Sequence, residues 1–139
     1  MTTKEKLRQI RFADMRIDNL LEQVERLKSK RESITTVLSD MPRGGNGEDR
    51  LNAMTGRIWE LEKQIDAEVD RLYDLKQEAA ERIAALPDDR HRVILEARYL
   101  NGHSIKRIAS DMKYDFCWVR QLHGLALLAY EKTTQKLTY

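Results

Sequence analysis

Cysteine, proline, glycine and aromatic residues are all scarce in this chain of 139 residues. The single cysteine, Cys117, excludes an intrachain disulfide and is typical of a reducing compartment, so we expect a cytoplasmic location. Six glycines and two prolines leave long stretches without helix breakers, and only 6% of the residues are aromatic. Leucine, glutamate, lysine, arginine and alanine dominate instead, and these residues favour helices. The composition therefore predicts an all-α fold.

Long apolar runs and catalytic motifs are also missing. No window approaches the ~20 apolar residues of a membrane-spanning helix, so we expect no membrane partner. The spacing of Cys117, His91, His103 and His123 does not fit a zinc site, and there is no glycine-rich phosphate loop. The sequence therefore predicts no metal, no cofactor and no enzymatic activity.

The net charge of +2 is too small to indicate a nucleic-acid partner, but the charge is unevenly distributed. Residues 1–43 carry 10 Lys and Arg against 7 Asp and Glu, residues 44–86 carry 6 against 10, and residues 87–139 carry 9 against 6. The three segments balance at +3, −4 and +3. Opposite charges on the first two segments favour their pairing, although each exposed ion pair adds under ~1 kcal/mol.

Two long segments carry apolar residues at most of the positions reached by alternating steps of three and four. The first stripe is Ile10, Ala13, Ile17, Leu20, Val24, Leu27, Arg31, Ile34, Leu38 and Met41. The second is Leu51, Met54, Ile58, Leu61, Ile65, Glu68, Leu72, Leu75, Ala79 and Arg82. A repeat of about 3.5 residues keeps one stripe facing a partner helix, so the pattern predicts two coiled-coil helices.

The segment between the stripes, MPRGGNG at positions 41–47, contains one proline and three glycines. Proline ends a helix and glycine permits the positive φ values of a reversal, so we expect an antiparallel hairpin over residues 1–86 with its turn at 42–47. Several apolar residues lie partly off the two stripes: Phe12, Met15, Leu21, Val37, Trp59, Val69 and Ile83. A second copy of the hairpin can pack against these residues to form a four-helix bundle, so we expect a homodimer.

A new pattern begins after Leu86-Pro87, where we place the boundary of a second domain, residues 87–139. Residues 88–100 are typical of a helix that ends at Asn101-Gly102. Ser104 is placed to cap a second helix that ends at Met112, and Asp115 to cap a third from Phe116 to about Tyr130.

Residues 86–109, LPDDRHRVILEARYLNGHSIKRIA, followed by residues 115–127, DFCWVRQLHGLAL, resemble the helix-turn-helix of region four in sigma factors. The whole layout also resembles phage late transcription regulators of the ArpU and RinA type. The resemblance implies a sequence-specific DNA-binding transcription regulator of phage or prophage origin that binds double-stranded DNA. We expect the homodimer predicted from the apolar residues to be the form that binds DNA, and RNA polymerase stays open as a further partner.

The third helix is the expected recognition helix, with Val119, Leu122 and Ala126 buried. Its other face holds the expected base-reading residues Arg120, Gln121, Phe116 and Cys117. Arg120 and Gln121 match family positions that meet DNA, and their side chains suit guanine and adenine edges. Phe116 and Cys117 depart from the family, in which polar side chains are common there. Phe116 either contacts a thymine methyl group or packs against the turn.

The expected backbone-contacting residues are Ser104, Lys106, Arg107, Lys113 and Trp118. Trp118 packs either on the sugar-phosphate backbone or against the first helix of this domain. Two other functions stay open at this point. One is a protein-interaction module that binds RNA polymerase or another regulator without touching DNA. The other is genome packaging, because small terminase subunits of phages also join a helix-turn-helix to oligomerising helices.

Overall fold

The computed structural model describes residues 2–39 and 46–137. Helix α1 spans Thr3–Ser39 and α2 spans Asn46–Ala84. Helix α3, Asp89–Leu95, continues into a π-helical turn at Glu96–Leu100, and α4, Ile105–Met112, and α5, Phe116–Leu137, follow. The described residues contain no strand, which confirms the all-α prediction. Nor do they include a helix with enough length and apolar character to cross a membrane.

The predicted turn at 42–47 lies outside the described residues up to position 45, while Asn46 and Gly47 already belong to α2. The chain divides into two compact units, each built from separate parts of the long helices. The first contains the described residues of 1–14 and 71–139, and the second contains residues 15–70. The predicted boundary between residues 86 and 87 therefore lies within the first unit.

The second unit is held by apolar residues of the two predicted stripes. Leu20 and Val24 of α1 and Ile58 and Leu61 of α2 form a buried cluster, with Leu27 and Ile65 packed against it. Two ion pairs connect the helices at the edges of this cluster: Arg16 to Glu68 at 3.4 Å and Lys28 to Glu62 at 3.7 Å. Arg16 precedes Lys28 in α1, whereas its partner Glu68 follows Glu62 in α2, so the two helices run antiparallel within this unit.

Most of the apolar residues predicted to lie off the stripes are exposed. In the second unit these are Met15, Leu21, Val37, Trp59 and Val69. The Nζ atom of Lys63 lies 3.8 Å from the centre of the Trp59 ring, a cation–π contact. In the first unit Phe12 is exposed, whereas Ile83 is fully buried in the core of that unit.

Helices α3, α4 and α5 form one apolar cluster of the first unit. Ile94, Ile108, Ala109, Val119 and Leu122 form a buried cluster. The side chains of Ala97, Ile105 and Met112 pack against this cluster. In the same unit the ends of the long helices are joined by two ion pairs, Lys6 to Glu78 at 3.3 Å and Asp14 to Lys76 at 3.5 Å.

Each of the three C-terminal helices begins at a side-chain cap. The Asp88 carboxylate accepts a hydrogen bond from the Arg90 amide at 2.8 Å, and the Ser104 hydroxyl accepts one from the Arg107 amide at 3.1 Å. The Asp115 carboxylate accepts one from the Cys117 amide at 3.1 Å. These bonds satisfy amides that have no partner within a first helical turn. They confirm the predicted caps at Ser104 and Asp115.

The connections on either side of α4 use left-handed backbone conformations. Gly102 has φ of 73° before α4, and Lys113 has φ of 60° at its end. Glycine adopts this region without cost, whereas a residue with a Cβ atom is strained there. The Lys113 conformation ends α4 and allows the Tyr114 amide to donate to the Ala109 carbonyl at 3.0 Å. The second helix therefore ends at Met112, as predicted.

The helix predicted over residues 88–100 differs from expectation in its last turn. The Asn101 amide donates to the Glu96 carbonyl at 3.0 Å, a step of five residues instead of four. The His103 amide then donates to the Ala97 carbonyl at 2.9 Å. The wider turn carries Arg98 and Tyr99, which contribute to the site described next.

Candidate nucleic-acid interface

The first half of α5 has one buried face and one exposed face. Val119, Leu122 and Ala126 are almost completely buried. Arg120 and Gln121 are exposed. Because each residue turns an α-helix by about 100°, one apolar stripe at this spacing commits the intervening side chains to solvent. The structure confirms the predicted burial of the apolar stripe.

Three of the four predicted base-reading residues share a small surface groove of about 320 Å³, lined by Cys117, Arg120 and Gln121. Phe116, the fourth, is 43% exposed. The guanidinium carbon of Arg120 lies 5.8 Å from the centre of its ring, within the range of a cation–π contact. The Phe116 ring is therefore partly open to solvent and lies near Arg120, which lines the groove.

The predicted backbone-contacting residues of α4 and the following turn are all exposed: Ser104, Lys106, Arg107 and Lys113. The Ser104 hydroxyl is already engaged as the cap of α4. Arg107 Nε lies 3.8 Å from Asp111 Oδ2, and both side chains are exposed, so water screens this ion pair strongly. Arg107 is therefore available to an outside anion.

Trp118 is the remaining predicted backbone-contacting residue, and it is 41% exposed at the start of α5. Its ring is neither fully buried in the core nor fully open to solvent. The indole side chain provides a large apolar surface with one N–H donor. Both features suit contact with a sugar-phosphate backbone or with a protein.

A second, larger cleft lies within the first unit and has a volume of about 440 Å³. Its lining residues are Lys4, Arg8, Arg11, Arg98, Tyr99, Ile105, Arg120, His123, Gly124 and Leu127. Five of these ten residues are Lys or Arg, and none is Asp or Glu. The cleft is therefore strongly positive, whereas the chain as a whole has a net charge of only +2. Arg120 lines both this cleft and the small groove.

His123 lies at the wall of the cleft beside Tyr99. The two rings are stacked, with their centres 5.8 Å apart, and the Tyr99 hydroxyl lies 3.0 Å from His123 Nε2. Burial, and then the positive charges of Arg98, Lys4 and Arg11, lower the pKa of His123 to about 4. The imidazole is therefore neutral at pH 7, and its Nε2 can accept a hydrogen bond from the Tyr99 hydroxyl.

Arg98 is the most constrained cation of the cleft. One guanidinium nitrogen, Nη1, donates to the His103 carbonyl at 3.2 Å. Its Nε atom is buried without a hydrogen-bond partner. Burial, followed by the charge of Arg11, lowers the pKa of Arg98. A buried donor without a partner is unfavourable, so an added acceptor at Arg98 would stabilise this arrangement.

The cleft residues Lys4, Arg8, Arg11 and Arg98 were not among the site residues predicted from the sequence. A local signal was present, because positions 4, 8 and 11 follow the spacing that places side chains on one face of a helix. The sequence pattern did not indicate that this face of α1 lies across a cleft from α5. That arrangement depends on contacts between residues about 100 positions apart.

No protein family, curated protein or solved structure matches this chain. Its functional assignment therefore depends on the exposed face of α5, the capped α4 and the positive cleft described above.

Proposed function

We propose that this chain is a sequence-specific DNA-binding protein that regulates transcription, with α4 and α5 as its helix-turn-helix and α5 as its recognition helix. The single observation that carries this proposal is the position of Arg120 and Gln121. Both lie on the exposed face of a helix whose opposite face is fixed in a core. The phage origin and the relation to sigma factors stay part of the proposal, since they depend on sequence resemblance alone.

The dimensions of α5 support contact with the major groove. A helix with its side chains is about 10–12 Å across, and the major groove of B-DNA is about 12 Å wide. Helix α5 begins directly after the Asp115 cap, so Cys117, Arg120 and Gln121 lie within its first two turns. Helix-turn-helix proteins read base edges with the N-terminal residues of their recognition helix.

Each predicted residue has a distinct role in this proposal. Arg120 donates two hydrogen bonds to guanine, and Gln121 pairs with adenine. Phe116 and Cys117 contact bases at the start of α5. The backbone contacts come from Ser104, Lys106, Arg107, Lys113 and Trp118, which carry no sequence information but orient the protein.

We also propose that the protein binds DNA as a homodimer through its long helices. The exposed apolar residues of the second unit support this, with Leu21, Val37 and Trp59 as examples. Such residues lose contact with water when a second copy packs on them, which favours association. Light scattering should give about twice the chain mass of 16.3 kDa at micromolar concentration. A mass equal to one chain would contradict the dimer.

Selection of bound duplexes from a random pool tests the DNA-binding proposal, because it measures binding and sequence preference together. On the selected site, Arg120→Ala should weaken binding by about 1–3 kcal/mol, and the loss should map to one base pair. Non-specific binding should change little. Arg26→Ala is the matched control, because Arg26 is an exposed arginine of α1 in the second unit.

Lys106→Ala provides an internal comparison. As a backbone contact, Lys106 should affect all duplexes equally and reduce the slope of log K against log salt by about one. Equal weakening on every sequence by Arg120→Ala would assign Arg120 to the backbone instead of a base. The absence of any duplex enriched above background would contradict the proposed function itself.

One observation favours a second candidate function, a protein-interaction module that binds RNA polymerase or another regulator. Leu125 and Leu128 of α5 are 50% and 56% exposed, and they line a surface groove of about 600 Å³. Exposed leucines on a helix can anchor a protein partner. Leu128→Ser should abolish a polymerase interaction while leaving duplex binding intact. An unchanged interaction would exclude this surface.

A further inference from the structure

The positive cleft holds several cationic side chains and no acidic side chain that could neutralise them. Its volume is about 440 Å³, and the cations that line it are Lys4, Arg8 and Arg11 of α1 together with Arg98 and Arg120. Within the described parts of the chain, Lys4, Arg8 and Arg11 make no ion pair. Like charges repel one another, and an anion bound between them relieves this repulsion.

The donors in the cleft suit phosphate oxygens. Apart from Arg120, which the proposed function assigns to a base, three of the four remaining cations are arginines, whose planar guanidinium groups bind phosphate through two parallel hydrogen bonds. Arg98 Nε is buried and lacks an acceptor, although its Nη1 already has one. Apolar walls from Ile105 and Leu127 reduce the access of water and strengthen the attraction for an anion.

We infer that this cleft binds a phosphate group, and that in a protein–DNA complex the group belongs to the DNA backbone. The choice of a backbone phosphate rests on the proposed function, and its support is the position of Arg120. This residue lines both the cleft and the groove it shares with Cys117 and Gln121, so the two open on the same part of α5. The N-terminal turns of α1 thereby become part of the DNA interface.

Two variants test the cleft on the full chain. Arg8→Gln removes an exposed cation, and the double variant Arg8→Gln/Arg11→Gln removes two, whereas Arg26→Gln removes the same charge from α1 outside the cleft. Helical circular dichroism identifies any variant that fails to fold, and the exposed Arg8 single variant keeps the test decisive if the double variant does not fold.

The first arm measures duplex binding as a function of salt. Each lost phosphate contact should weaken binding about fivefold near 0.15 M salt, equally on all sequences, and reduce the salt slope by about 0.9. Arg26→Gln should bind like the wild type, which would support the inference. If the cleft variants bind as the wild type while Arg120→Ala loses its preferred base, the backbone assignment is overturned and the proposed function stands.

The second arm uses inorganic pyrophosphate, which presents phosphoryl oxygens without DNA. At constant ionic strength it should raise the melting temperature of the wild type and of Arg26→Gln more than that of the cleft variants, since a ligand stabilises only the state that binds it. If the wild type binds no duplex but shows this stabilisation, the proposed function fails and the cleft is assigned to a free phosphate compound. If equal melting shifts accompany unaffected duplex binding in all variants, the phosphate site is refuted.

Discussion

The stability of the first unit should depend on pH through His123. Its pKa is about 4 in the folded protein, because burial and nearby positive charges oppose protonation, whereas an unfolded histidine titrates near 6.5. Below pH 6.5 the unfolded chain therefore binds a proton that the folded chain does not. The free energy of unfolding falls as the pH drops from about 6.5 toward about 4.

The magnitude follows from the two pKa values. The full shift predicts a loss of about 2 kcal/mol between pH 7 and pH 5. His123 is only half-buried, so solvent screening reduces the expected loss to about 1 kcal/mol. His123→Gln cannot gain this proton, and its amide can still accept from the Tyr99 hydroxyl.

Urea denaturation at pH 7 and pH 5 provides the assay. Acidification also protonates carboxylates, so the informative quantity is the loss in the wild type minus the loss in His123→Gln. A difference of about 1 kcal/mol corresponds to a midpoint shift of about 0.5 M urea. Equal losses in the two proteins would show that protonation of His123 does not oppose folding, and the account of its environment would be wrong.

Three further substitutions test the local structure, each by urea denaturation at pH 7. Ser104→Ala removes the cap of α4 and should destabilise the protein by about 1 kcal/mol, whereas Ser104→Asp should keep the cap; equal effects would refute the capping role. Leu122→Ala leaves a cavity in the core of the first unit and should cost about 2–5 kcal/mol, in contrast to less than about 1 kcal/mol for the exposed Leu125→Ala. Lys113→Gly relieves a left-handed conformation and should stabilise the protein or leave it unchanged, so a loss above about 1 kcal/mol would contradict the strain.

The predictions that succeeded depend on local chemistry. The stripe from Ile17 to Val24 and its partner around Ile58 emerged from a repeat of 3.5 residues, which records the burial of one helix face. The caps at Ser104 and Asp115 were predictable because a short polar side chain before an apolar periodic run binds the nearest free amides. Both kinds of signal lie within a few residues of the structure that they predict.

The features that were missed are non-local or involve hydrogen-bond register. The π-helical turn at Glu96–Leu100 differs from an α-helix by one residue per hydrogen bond, and apolar periodicity is too coarse to record that difference over five residues. The cleft requires Arg8 of α1 and His123 of α5 to come together from distant positions. The roles of Arg120 and Gln121 stay predictions that duplex selection must test.

The composition of the first unit has a consequence for how the chain folds during synthesis. Leu7 and Ile10 are almost fully buried, yet their unit is completed only by residues 71–139. In the sequence, the second unit stands between these two segments. Its contacts join residues that are closer in sequence, so it can form first on the ribosome. The N-terminal turns of α1 must remain exposed until the last helix emerges. A fragment that begins at residue 87 lacks Leu7 and Ile10, so we expect its helices to be less stable than the same helices in the full chain.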